Sequence, residues 1–170
     1  MKLSPESYFQ AVRQWDSKHR IVGRTPIETL IKESEESLRS FLSEGSRPDT
    51  LIDVGAGAGI MGLPWLWMRE NSKAIMVEPD KKKSAFLRDL VANKMPELMS
   101  RVLILPSRIE DVSRETVLSF SGTSFFCVAR AFSGEKTLAE SFAASELKGD
   151  PLYIFEGGVT PNKKFMLRQV

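Results

Sequence analysis

The chain has 170 residues, 42% of them hydrophobic and 27% charged, with a net charge of only +2. That composition fits one soluble globular domain with a sizeable core, and it excludes a disordered chain or one marked by charge alone as a nucleic-acid binder. A single cysteine excludes an intrachain disulfide framework and suits a reducing compartment. No apolar run reaches the ~18–20 residues of a membrane span, and the opening MKLSPESYFQ lacks a signal-peptide core, so a cytoplasmic location without a membrane partner is expected.

Residues 5–44 read as helical. Ser4-Pro5-Glu6 places a capping residue before a proline suited to the first helical position. Thr25-Pro26-Ile27-Glu28 repeats that start, with Glu28 spaced from Thr25 as in a capping box. Ile27, Leu30, Ile31, Leu38, Phe41 and Leu42 then form a partial apolar stripe. The cluster Gly45-Ser46-Arg47-Pro48-Asp49 is the strongest break, dividing an N-terminal helical segment (1–45) from a core (46–170).

Beyond the break, short apolar runs alternate with longer amphipathic ones. Strands are expected at Thr50–Val54, Ala74–Glu78, Val102–Leu105, Phe125–Ala129 and Leu152–Phe155, with helices at 62–70, 80–94, 113–120 and 135–147. Strands separated by helix-length segments imply an α/β fold with a doubly wound, mainly parallel sheet. The tail after Gly157-Gly158 offers Phe165-Met166-Leu167 as a sixth strand or a loose end.

The chemistry concentrates at the ends of these strands, where doubly wound sheets bind ligands. Leu51-Ile52-Asp53-Val54 runs into Gly55-Ala56-Gly57-Ala58-Gly59, a loop in which glycines let backbone N–H groups approach a ligand closely. Asp53 would repel a pyrophosphate and attract a cation. The dinucleotide fingerprint also fails, because Ile60 stands where its last glycine belongs. No Gly-Lys-Ser/Thr follows, so this is no P-loop. Glu78 closes the second strand, where a carboxylate can accept hydrogen bonds from ribose hydroxyls. Ser107-Arg108-Ile109-Glu110 follows the third strand and could flank an adenine. A nucleoside ligand carrying an ammonium and a sulfonium, S-adenosylmethionine (AdoMet), satisfies all three positions. The expected cofactor residues are Asp53, Gly55, Ala56, Gly57, Gly59, Glu78, Arg108, Ile109 and Glu110. The bland alternative is that the glycines only permit a tight turn.

Arg130 ends the fourth strand and is the expected catalytic residue on the substrate side, able to contact a phosphate or guanine O6. Its competing reading is a surface ion pair with an acid such as Glu135. Lys81, Lys82 and Lys83 read as a solvated first turn after the cap Asp80, or as a positive rim to the cleft. Cys127, among Phe125, Phe126 and Val128, reads as a core thiol rather than the nucleophile of a C5-pyrimidine methyltransferase. His19 reads as exposed, and no ligand set suggests a metal. Trp15, Trp65 and Trp67 read as packing residues, with Trp67 the best placed to stack on a base.

With these motifs in order, the chain resembles the bacterial glucose-inhibited-division protein B family, methyltransferases that modify N7 of a guanine in 16S ribosomal RNA. The resemblance is carried by DVGAGAGIMGLP at 53–64, Glu78 with KKKSAFL at 81–87, SRIE at 107–110 and VARAF at 128–132. Trp15 and TPIE at 25–28 extend it into the helical segment, so it covers about residues 10–158. It departs from the family at Met61 (usually proline), Glu33 (histidine expected) and Glu156 (typically lysine). The chain also reads as shortened at both ends, without the fold's closing antiparallel strands. The resemblance implies a Rossmann-like AdoMet-dependent methyltransferase fold, AdoMet as cofactor, and 16S rRNA or the small ribosomal subunit as partner of a monomeric enzyme. A small-molecule AdoMet methyltransferase and a degenerate methyltransferase fold kept as a binding module are the alternatives.

Overall fold

The computed structural model describes residues 5–45, 47–130 and 135–155; expectations that fall on Ser4, Ala131, Phe132, the Glu135 side chain and 156–170 lie outside them. Two helices, α1 (Pro5–His19) and α2 (Ile27–Ser43), precede a five-stranded sheet. Its strands are β1 (Thr50–Val54), β2 (Lys73–Val77), β3 (Val102–Leu105), β4 (Phe126–Ala129) and β5 (Leu152–Ile154). All pairings are parallel and the order is β3-β2-β1-β4-β5. The expected strands therefore hold to within a residue at either end. Because β2 and β4 flank β1, the direction of winding reverses beside β1, which places the topological switch point between β1 and β4.

The period of two along β1 decides what each face covers. Leu51 and Asp53 share a face with Ala74 and Met76 of β2 and with Phe126 and Val128 of β4. That face packs against α1, α2, α3 (Gly62–Met68) and α4 (Lys81–Asp89). Ile52 and Val54 point the other way, with Ile75, Val77, Cys127 and Ala129. That side lies under α5 (Arg114–Ser121) and α6 (Glu135–Ala144). With both faces covered, β1 is buried at all five positions, as a parallel strand between two helical layers should be. Each large side chain removed from water here contributes about 1.5–3 kcal/mol. Trp65, Leu51 and Phe126, all essentially unexposed, pack together, with the Trp65 and Phe126 rings 5.2 Å apart. Cys127 is a buried thiol pushed far up in pKa by burial.

Two local expectations resolve differently. The capping box at Thr25 does not form: Pro26 caps α2 with no side-chain bond, and Glu28 pairs with Arg13 of α1 instead. A tertiary ion pair has taken the residue that would have closed the box. The expected helix 80–94 is α4 followed by a π turn over Leu90–Lys94, in which the Met95 N–H reaches the Leu90 carbonyl at 2.8 Å. Pro96 next in sequence disfavours a helical Met95, so the turn widens and stops there.

The helical segment packs directly onto the core. Tyr8, Ile27 and Leu30 bury with Leu63, Met76 and Phe86 in one cluster. Leu38 and Phe41 bury with Leu51, Trp65 and Phe126 in another.

Candidate functional site

The glycine loop leaves β1 at the switch point. Both Gly55 N–H and Ala56 N–H donate to the Val77 carbonyl of β2, at 2.9 and 3.1 Å. Gly57 has φ +58°, and a Cβ there would meet only the Gly55 carbonyl oxygen, at 3.9 Å, so no side chain stands between its backbone and the cleft. Gly59 serves a different end. A Cβ there would come within 2.9 Å of Leu63 and 3.1 Å of Leu87, so this glycine permits close packing of the loop on the core.

Asp53 does more than face a ligand. Its carboxylate is buried and accepts the Gly62 N–H at 2.9 Å, which caps the start of α3. Burial pushes this carboxyl up to about 7, reinforced by the nearby Glu78 charge and opposed by the bonds from Gly62 and Met61. A cation brought against Asp53 would favour its ionised form. Glu78, also buried, accepts the Gly57 N–H at 2.7 Å and the Asp80 N–H at 2.8 Å. It thus clamps the glycine loop to the start of α4, where Asp80 accepts from Lys82 and Lys83 as expected of a cap.

A cleft of about 410 Å³ opens over this loop. One wall is Gly55–Ala58 and Ile60, with Asp53; the other is the linker Ile21–Thr25 between α1 and α2, with Leu30. Lys83 and Arg130 also line it. Of the expected cofactor residues, Asp53, Gly55, Ala56 and Gly57 meet in the cleft. Gly59 and Glu78 support the loop. Arg108, Ile109 and Glu110 stand farther along the carboxyl edge, after β3: Arg108 is exposed, Ile109 is buried with α5 and α6, and Glu110 accepts from Ser141 at 2.7 Å. The carboxyl ends of β1, β2 and β3 therefore form a row, with Gly57 and Glu78 bonded across its first step.

Arg130 lies at the end of β4, across the switch point. Its side chain is only 6% exposed and pairs with Glu33 of α2, while donating to the Leu30 carbonyl at 2.9 Å and to Ser34 Oγ at 2.7 Å. Glu33 belongs to the helical segment. The stripe of α2 is interrupted at Ser34, a buried polar residue, where the guanidinium docks.

Sequence reasoning missed the linker 21–25, Glu33 as the partner of Arg130, and Tyr8, whose hydroxyl donates to the Ala58 carbonyl at 2.9 Å. Only the gap at Ser34 offered a local sign. Trp67 is half-buried, with its ring beside Tyr8 and its N–H donating to Glu35 at 2.7 Å, so it packs inward rather than presenting a stacking face. His19 is exposed, with its ring against Trp15. Among the described residues no cluster of His, Cys, Asp and Glu suits a metal, and no helix is long and apolar enough to cross a membrane.

A bare glycine loop, two buried carboxylates at the ends of β1 and β2, and a cleft of this size fit a cationic nucleoside better than a polyphosphate. Comparison with known proteins agrees. The family model described as rRNA small subunit methyltransferase G matches residues 2–157. The ribosomal RNA small subunit methyltransferase G of Roseiflexus sp. (strain RS-1) is 35% identical over 109 residues, 64% of this chain and 45% of that protein. Its counterpart in Desulfotalea psychrophila is 30% identical over 149 residues, 84% of this chain and 64% of that protein. The chain spans about half the length of the curated relatives it matches. Among solved structures, a candidate AdoMet-dependent methyltransferase of Methanococcus maripaludis superposes with a TM-score of 0.53 at 16% identity, covering 90% of this chain and 62% of that one. A candidate methyltransferase of Escherichia coli gives 0.51 at 18% identity, covering 77% and 74%. At such identities these two structures show the fold: a Rossmann-like methyltransferase sheet.

Proposed function

We infer the function from the premise that the chain belongs to the rRNA small subunit methyltransferase G family: it is an AdoMet-dependent methyltransferase acting on N7 of a guanine in 16S rRNA. The observation that carries this reading is the glycine loop at the switch point, with Asp53 and Glu78 on one side of it and Arg130 on the other. AdoMet, when bound, supplies an activated methyl group on a sulfonium. The residues present fit it: the side-chain-free backbone of Gly55–Gly57 would admit the methionine end, Asp53 would offer a carboxylate to its positive charge, and Glu78 would hold the loop in place from the end of β2.

Guanine N7 carries an in-plane lone pair and no proton, so no general base is required. The protein's work is alignment of N7 with the methyl carbon and sulfur. That agrees with a cleft whose titratable lining is Asp53, Lys83, Arg24 and Arg130, without a histidine or cysteine. Arg130 holds the base or an adjacent phosphate, and α2 holds Arg130. In this reading residues 46–170 carry the cofactor site and the helical segment 1–45 closes the substrate side. Lys83 and Arg24 add positive charge at the cleft toward the RNA. The Glu33–Arg130 pair adds to the sequence departures, Glu156 among them, that favour the binding-module alternative, because it neutralises the substrate-side cation.

Two measurements test the proposal. Calorimetry should detect S-adenosylhomocysteine binding, and its absence would overturn every AdoMet reading. Labelled methyl should then pass from AdoMet to 30S subunits of a strain lacking the modification. Cofactor binding without transfer to the RNA would leave the rRNA assignment wrong and favour a small-molecule AdoMet methyltransferase.

A further inference from the structure

We propose that Tyr8 of the helical segment is a positioning residue for the cofactor loop, holding it in its binding conformation through the Ala58 carbonyl. The inference rests on the cleft being the AdoMet site. Tyr8 is wholly buried, and its hydroxyl donates to the Ala58 carbonyl at 2.9 Å across 50 residues of sequence. Ala58 is 3% exposed, so without the phenol its carbonyl would lose a partner that water is poorly placed to replace.

The peptide between Ala58 and Gly59 is planar and trans, so its C=O and N–H point in opposite directions. The C=O goes to Tyr8; the N–H of Gly59 goes to the Ala56 carbonyl at 2.7 Å. One peptide plane is thereby pinned from both sides, and it closes the turn that presents Ala56 and Gly57 to the cleft. The other anchor is Glu78, which takes the Gly57 N–H at 2.7 Å from the side of β2. The loop is thus held by Val77 and Glu78 at the carboxyl end of β2 and by Tyr8 of α1.

Packing alone does not require a hydroxyl here. The ring lies 5.7 Å from that of Phe9 and 5.9 Å from that of Trp67, and a phenylalanine would fill the same space. Trp67 in turn donates to Glu35 of α2. Tyr8 therefore ties α1 directly to the loop, and its hydroxyl is the atom that makes the connection polar and directional.

The test compares wild type with Y8F and with V12A, which trims a 1%-exposed apolar residue of the same helix. S-adenosylhomocysteine affinity is read by calorimetry, stability by thermal unfolding, and loop order by amide exchange at Gly57–Gly59. Y8F should bind about tenfold more weakly and exchange faster at those amides. V12A should lose stability while keeping wild-type affinity. Affinity and exchange in Y8F equal to wild type, or losses no larger than those of V12A, would overturn the proposal. Should Y8F fail to fold, Y8M, which keeps the apolar filling, takes its place. If wild type itself binds no S-adenosylhomocysteine, the cofactor reading falls, while loop exchange in Y8F still decides whether Tyr8 orders the loop.

Discussion

On the glycine-loop side of the cleft, the anchoring bonds run to backbone groups: Val77 and Glu78 take N–H groups of 55–57, and Tyr8 gives to Ala58. On the α2 side, they run to a side chain, the guanidinium of Arg130, held by Leu30, Ser34 and Glu33. A backbone wall cannot be re-aimed without changing φ and ψ, so it suits a ligand that is always the same. A side chain can be re-aimed by rotation about its own bonds with the backbone unmoved, here at the cost of its bonds to Glu33, Ser34 and Leu30, which suits a substrate that must be gripped and released. The contrast supports assigning the cofactor to one wall and the RNA to the other.

The largest effect expected is from Gly57→Val. It forces a β-branched residue to φ +58° and puts a side chain into the cleft. S-adenosylhomocysteine affinity should fall by about a hundredfold or more, with the fold retained by circular dichroism. Near-normal affinity would mean that this wall is not the cofactor's. Next, Arg130→Ala should lower methyl transfer by at least about a hundredfold while leaving cofactor affinity within about threefold. Equal losses of both would erase the distinction between the walls. Glu78→Ala removes the clamp on Gly57 and Asp80, and should weaken cofactor binding about tenfold. Unchanged binding would show the loop to be fixed without it.

Asp53→Asn should have the smallest effect at neutral pH and a distinctive pH dependence. The native carboxyl sits at about 7 because burial disfavours its charge, against an ordinary value of 3.8. Between those values the folded state holds a proton that the unfolded chain has released. This group's contribution to stability is therefore full below about pH 4, declines as pH rises, and is lost above about 7. The stability of wild type relative to D53N should fall by roughly 1 kcal/mol or more across that window, measured by denaturant unfolding at several pH values. Over the same range, wild-type affinity for the cationic cofactor should rise with pH, and that of D53N should stay flat. A pH-independent difference between the two proteins would remove the titration from Asp53.

Much of the fold was legible because it depends on neighbours within a few residues. The five strands announced themselves as short apolar runs, and Asp80 and Pro96 set the limits of α4 and its π turn through chemistry next to them in sequence. The box at Thr25 misled because α2 is capped by Pro26, one residue later, while Glu28 pairs with Arg13 on another helix. At the site, the glycine loop, Asp53 and Glu78 could be named from spacing alone. Their capping and clamping roles could not, since these appear only when Gly62 and Gly57 are brought to them by the turn.

The sequence by itself determined a doubly wound sheet and a glycine loop with an acid at the end of each of its first two strands. These follow from periodicity and from residue types that act on their own backbone. Only the tertiary structure decided that Arg130 meets Glu33, 97 residues away, and that Tyr8 meets Ala58, 50 residues away. Those contacts are made when α1 and α2 bury their apolar stripes against the face formed by β2, β1 and β4. No local pattern encodes which polar groups that burial leaves facing each other.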